Sequence, residues 1–186
     1  RLNPTSPERF DTAFATRLRR AVDAARQGKV IVQNLIGGYM YLRSLIGPVE
    51  LLYMVYDNPD LIHACMQTWL TLADAVVARH QHAVTIDEIF LAEDICFNHG
   101  PLISPDMIRE FLFPYYQQLI ASTRRRQLDR ARPLFIQIDT DGNSLPVIDV
   151  YREIGMNYMS PFEVASGCDV VAVGADCPDL LMRGGI

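Results

Sequence analysis

Five short runs rich in β-branched and aromatic residues, each set apart from the next by a longer stretch, constrain this chain more than any other feature. They cover residues 30–36, 88–95, 134–140, 157–162 and 180–186, and each has the length of a strand. The intervening stretches carry helical spacing. After Asn58 and Pro59, apolar residues Leu61, Ile62, Cys65, Met66, Trp69, Leu72, Ala73 and Val76 recur three and four apart, which predicts a long helix ending near residues 80–82. Ser104, Pro105 and Asp106 form a second cap-and-proline start, and Pro114 bends or restarts that helix before residues 115–127. Shorter helices fit 145–154, closed by Gly155, and 169–174, while 7–28 reads as a helix with Phe10, Phe14, Leu18, Val22 and Ala25 on one side. Strands that alternate with helices, and no hairpin signal between neighbouring strands, point to parallel βα units.

No repeat, low-complexity tract or linker divides residues 1–186, so a single domain is expected. The chain starts at an arginine and stops in an apolar run, and reads as a piece of something longer. With 49% hydrophobic and 21% charged residues it falls outside the disordered and disulfide-scaffold classes. A net charge of -5 offers no basic field for phosphate backbones, so nucleic acid is not an expected partner. No uninterrupted apolar run reaches the ~18 residues of a membrane span, and nothing at the front reads as a signal peptide, so the expected location is the cytoplasm. Cys65, Cys96, Cys168 and Cys177 include no CxxC pair and read as reduced thiols. The arginine run beginning at 124–126 and continuing to Arg132 reads as the solvated end of a helix.

Strand parity separates an open sheet from a barrel. Central strands of an open doubly wound sheet are covered on both faces and read continuously apolar. Here Phe135, Gln137 and Asp139 share one face of their strand, and Leu134, Ile136 and Ile138 share the other. Gln33 or Asn34 supplies the polar position in the first strand, Glu93 or Asp94 in the second, and Arg183 in the last. Apolar outward and polar inward near the carboxyl ends is the pattern of a barrel mouth. The expected fold is therefore α/β: a (β/α)8 TIM barrel of which about five central βα units are present. Its open parallel edges should invite association.

Active sites on such folds lie at the carboxyl ends of strands. Glu93 and Asp94 end the second strand, with His99 in the loop beyond; Asp139, Asp141 and Asn143 end the third, Glu163 the fourth and Arg183 the fifth. Crowded carboxylates raise one another's pKa, which suits acid–base work, or they gather a divalent cation. A purely structural alternative has Asp141 capping a turn into Gly142, Asp94 bonding loop amides and Glu163 pairing with Arg183. His63, His80 and His82 fall on the long helix and read as packing or surface residues. The Gly37-Gly38 and Gly184-Gly185 pairs belong to no phosphate-binding fingerprint.

The blocks DNPDLIHACMQ, GPLISPDMIREFLFPYYQQLI, DTDGNSLPVIDVYREIGMNYMSPFE and LMRGGI resemble, in order, successive segments of the uroporphyrinogen decarboxylase superfamily. The resemblance covers nearly the whole chain and implies a (β/α) barrel whose middle five strands are these. It lies nearer the corrinoid-linked methyltransferase-like branch than the decarboxylases of porphyrin biosynthesis, whose diagnostic arginines and aspartate come from an amino-terminal segment this chain lacks. Methyltransferases of that branch use zinc to activate a thiol, held by a His-x-Cys motif. Here that strand end reads Gln137, Ile138, Asp139, Thr140, Asp141, without histidine or cysteine. Asp139 is a harder, oxygen-only ligand, leaving Cys96 and Cys168 as alternative thiolate sources.

The resemblance implies an enzyme acting on a corrinoid or a small methyl donor, with uroporphyrinogen decarboxylase and a non-catalytic corrinoid- or tetrapyrrole-binding barrel as alternatives. In that frame Glu93, Asp94, Asp139, Asp141 and Glu163 are the catalytic candidates, and Asn143, His99 and Arg183 the substrate-binding ones. A divalent metal such as zinc and a corrinoid are the implied cofactors. A corrinoid protein and a second copy in a homodimer are the implied partners.

Overall fold

The computed structural model describes residues 3, 6–10 and 12–185. Asp11 of the first expected helix and Ile186 of the last expected strand lie outside the described residues. A 3-10 turn at Pro7–Arg9 precedes α1 (Thr12–Arg26) and β1 (Val32–Ile36). Three helices follow: α2 (Gly38–Ile46), α3 (Pro48–Asp57) and α4 (Pro59–Gln81). Next come β2 (Glu88–Ala92), the small strands β3 (Cys96–Phe97) and β4 (Gly100–Pro101), then α5 (Pro105–Phe111) and α6 (Phe113–Arg126). The rest is β5 (Phe135–Asp139), α7 (Ile148–Arg152), β6 (Tyr158–Phe162), α8 (Val170–Asp176) and β7 (Leu181–Gly184).

The five main strands form one sheet in the order β1-β2-β5-β6-β7, and every neighbouring pair is parallel. The fold is thus α/β, as the alternation predicts.

Local signals explain most helix boundaries. Asn58 accepts from the Leu61 amide at 3.3 Å with Pro59 behind it, and Ser104 accepts from Met107 at 3.2 Å with Pro105 behind it. Asp169 accepts from both Val171 and Ala172 at the start of α8. Pro114 does divide the expected helix, since α5 stops at Phe111 and α6 restarts at Phe113 with the proline in its first turn.

Two expectations need correction. Nothing in the reading above places α2 and α3 between the first strand and the long helix. Their punctuation is present in Gly47, at φ +108, followed directly by Pro48, but the two helices are only 9 and 10 residues long. The expected loop after Asp94 is instead a two-residue hairpin, with Phe97 opposite Gly100 and Asn98 and His99 at its tip.

Register gives the sheet two chemically distinct faces. Ile89, Leu91, Ile136, Ile138 and Met159 are buried in one hydrophobic cluster with Ile62, Met66, Trp69 and Val77 of α4 and Tyr116 and Leu119 of α6. On the opposite face Asn34, Phe90, Gln137, Tyr158 and Leu181 align across all five strands. Ile36, Ala92, Asp139 and Ser160 form the next level toward the carboxyl ends. Gln33 belongs to the helix-facing side, where it hydrogen-bonds His80 at 2.6 Å, so Asn34 is the inward polar residue of β1.

By length and composition α4 is apolar enough to cross a membrane, although polar residues interrupt it. Its Ile62, Met66, Trp69, Ala73 and Val77 are buried. The arginine run closes α6 as expected, with Arg124, Arg125, Arg130 and Arg132 exposed, while Arg126 pairs with Asp74 at 2.7 Å and Arg132 with the buried Asp87 at 2.6 Å.

Candidate functional site

The carboxyl ends of the parallel strands are tied to one another by backbone bonds that continue beyond the strands. The amides of Glu93 and Asp94 both donate to the Asp139 carbonyl, at 2.8 and 3.1 Å, and the Thr140 amide donates to the Ser160 carbonyl at 2.7 Å. Thr140, itself fully buried, accepts from the Ile95 and Cys96 amides at 3.0 and 2.9 Å. One hydroxyl thereby fixes the segment that carries Asp94 and leads into the hairpin.

Four of the five carboxylates come together. Asp141 is exposed, and its carboxyl is pushed up by burial of its surroundings and then by the charges of Glu163, Asp94 and Asp139. Asp94 is half-exposed and pairs with Arg43 of α2 at 2.6 Å. Asp139 accepts from the Ser160 hydroxyl, whose oxygen in turn accepts from Gln137 at 2.6 Å. Because the Gln137 amide can only donate at that contact, the Ser160 proton is directed onto Asp139. Glu163 accepts from the Gly142 amide at 2.8 Å and from Ser166 at 3.0 Å, rather than pairing with Arg183. It also lines an open groove of about 510 Å³ with Asn98, Ser166, Gly184 and Gly185.

Glu93, expected to complete this rim, does not reach it. Strand parity turns it to the helix-facing side, where it is fully buried and bonded to the Tyr39 amide at 2.8 Å and to the Tyr116 hydroxyl. Asp94, the next residue in the alternation, stays on the inward side at the rim, and its left-handed backbone conformation, φ 45, marks the end of the strand. The remaining candidates disperse. Asn143 accepts from the Leu145 amide at 3.2 Å, a local turn leading into the 3-10 turn at Leu145–Val147. His99 sits exposed at the hairpin tip, edge-on to Phe97. Arg183 is exposed on the inward face of β7, and its charge acts on Glu88.

The donor set does not fit zinc. Among the described residues no three His, Cys, Asp or Glu side chains are close enough together to hold a metal ion. All four cysteines are free; burial pushes the Cys96 thiol up to about 11, and the Cys168 thiol is buried, facing the Gly142 carbonyl at 3.6 Å. A thiol held neutral is a poor zinc ligand.

Two contributors, Arg43 and Tyr116, have no signal in the sequence, and Thr140 stands at an expected strand end without an assigned role. Arg43 and Tyr116 lie on helices and reach the strand ends only through packing. Thr140 directly follows Asp139, and its place at a strand end was the available signal.

No family model matches the chain, and no curated protein matches it. Among solved structures, a methyltransferase from Methanosarcina mazei superposes with a TM-score of 0.57 at 18% sequence identity, over 77% of this chain and 40% of that one. The chain therefore spans less than half the length of the structure it resembles, and the likeness is one of fold.

Proposed function

We propose that this chain is the central part of a (β/α)8 barrel of the uroporphyrinogen decarboxylase superfamily and that it acts as a methyltransferase on a small methyl donor, with a corrinoid as methyl acceptor. The observation that carries the reading is the convergence of Asp94, Asp139, Asp141 and Glu163 at the carboxyl ends of parallel strands, in a fold similar to that of the archaeal methyltransferase. Asp141 supplies the proton. Partial burial and then its neighbours' charges favour its neutral form, so it suits protonating a leaving heteroatom. The methyl carbon's bond to that heteroatom breaks with its electron pair going to the heteroatom, which takes the Asp141 proton, while the acceptor supplies the pair for the new bond. Asp139, held by Ser160, and Glu163, held by Gly142, orient the donor as hydrogen-bond acceptors. A corrinoid protein and a second copy of the chain are the partners this reading entails.

Incubating the protein with reduced cobalamin and a panel of methylated thiols, alcohols and amines tests the reading. Formation of methylcobalamin that is lost in Asp141→Asn and Glu163→Ala supports it. Corrinoid binding without transfer selects the non-catalytic barrel instead, and neither binding nor transfer removes the reading altogether.

A further inference from the structure

The first two residues of α2 hang on a single carboxyl group. The Tyr39 amide donates to Oε1 of Glu93 at 2.8 Å, and the Gly38 amide donates to the Tyr116 hydroxyl at 2.6 Å, while Tyr116 is bonded to Oε2 of the same carboxyl. The groups facing Glu93 are Tyr39 of α2, Cys96 of β3, Tyr116 of α6 and Tyr151 of α7, and every one of them is neutral near pH 7. Arg43, the cation on α2, is occupied by Asp94. The Tyr151 hydroxyl is buried without a hydrogen-bond partner, so it brings no compensation either. Among the described residues a charged Glu93 in this place therefore has no counter-ion, and burial pushes its carboxyl up to about 7 in spite of the hydrogen bonds from Tyr116 and Tyr39.

We propose that α2 is a proton-fastened latch over Glu93: while Glu93 is neutral the helix stays closed and holds Arg43 against Asp94 at the rim, and loss of the proton lets the amino-terminal turn of α2 lift, exposing Glu93 to water and freeing Arg43. The direction follows from linkage. In the closed form Glu93 binds its proton more tightly than in an open, solvated form, so protons favour closure. Raising the pH from 5 toward 7 loosens the latch, and above 7 the effect levels off because both forms are then deprotonated. The device is independent of the reaction catalysed at the rim.

Amide hydrogen exchange followed by NMR on the whole chain reads the latch directly. After correction for the intrinsic rate, protection at Tyr39 and Tyr41 should fall by up to about tenfold per pH unit between 5 and 7 and then flatten. The same amides should exchange faster at pH 7 than Ile89 and Ile138 of the central strands, which marks a local opening. In Glu93→Gln the pH dependence should disappear. An equal slope in Glu93→Gln, or Tyr39 protection as high as that of Ile138 throughout, overturns the latch. Should Glu93→Gln fail to fold, Tyr116→Phe serves: losing a donor to the carboxylate moves the flattening point to higher pH, and an unmoved point overturns the proposal.

Discussion

Glu93 and Asp94 are consecutive, yet one carboxyl is sealed beneath the start of α2 and the other stands at the rim, 2.6 Å from Arg43 of the same helix. Alpha-helix α2 is thereby held from both sides of one dipeptide. Strand alternation sends Glu93 to the helix layer and Asp94 to the opposite, inward side, where the strand ends in the left-handed conformation of Asp94. Asp tolerates that conformation better than most residues, because its short polar side chain can hydrogen-bond locally.

The Glu93 carboxyl titrates near 7 in the folded protein against an ordinary 4.5. Between those two values the folded state holds a proton that the unfolded chain has lost. Global stability should therefore fall as pH rises through that window and stay level above it, by about 3 kcal/mol in all. Urea unfolding at pH 5 and pH 8 measures the difference, and Glu93→Gln should remove most of it. The same difference in both proteins would place the linkage on other groups.

Thr140→Val keeps the shape of the side chain and deletes the acceptor for two amides, those of Ile95 and Cys96. Leaving buried donors without a partner should lower stability by about 1–3 kcal/mol. Chemical denaturation gives the value. The variant should also weaken whatever function the rim performs, since the segment carrying Asp94 loses its anchor. A loss below a few tenths of a kcal/mol would show that water replaces the hydroxyl.

Gly142 has φ +81, and a Cβ placed there would stand 2.6 Å from the Phe97 carbonyl. Gly142→Ala should cost about 1–3 kcal/mol from backbone strain and that contact together. Because the Gly142 amide holds Glu163, activity should fall further than stability does. Thermal melting alongside a turnover assay separates the two effects.

Removing the proton donor should be the most selective change. Asp141 is exposed and makes no buried contact, so Asp141→Asn should leave the melting temperature within about 2 °C while cutting methyl transfer by about 10²–10⁴. Since the group acts in its neutral form and its carboxyl is shifted upward, turnover of the native protein should decline as pH rises through its titration. Turnover within twofold of the native rate would exclude Asp141 as the acid.

Much of the architecture was legible without coordinates. Asn58-Pro59 and Ser104-Pro105 mark helix starts because a cap and a proline act within one turn of backbone. The alternation of Ile136 and Ile138 with Gln137 and Asp139 marks two faces because strand period is two. The helices α2 and α3 were not legible: they are short, apolar on several sides and stabilised by packing of Tyr39, Leu42, Leu51 and Val55 into the shared core. The hairpin tip at Asn98 and His99 carries no strong turn dipeptide, and its pairing spans only two residues on each side.

By itself the sequence determined the alternation of the five main strands with helices, the polar side of the sheet and the placing of acids at strand ends, because those depend on periods and caps local to the chain. Which acids meet was decided only in three dimensions. Asp94, Asp139, Asp141 and Glu163 share a rim and Glu93 is drawn beneath α2, because charge and burial depend on side chains from α2, α6 and α7 that arrive from distant positions. A carboxylate's role follows from its surroundings, and those surroundings are assembled by packing rather than by sequence neighbours.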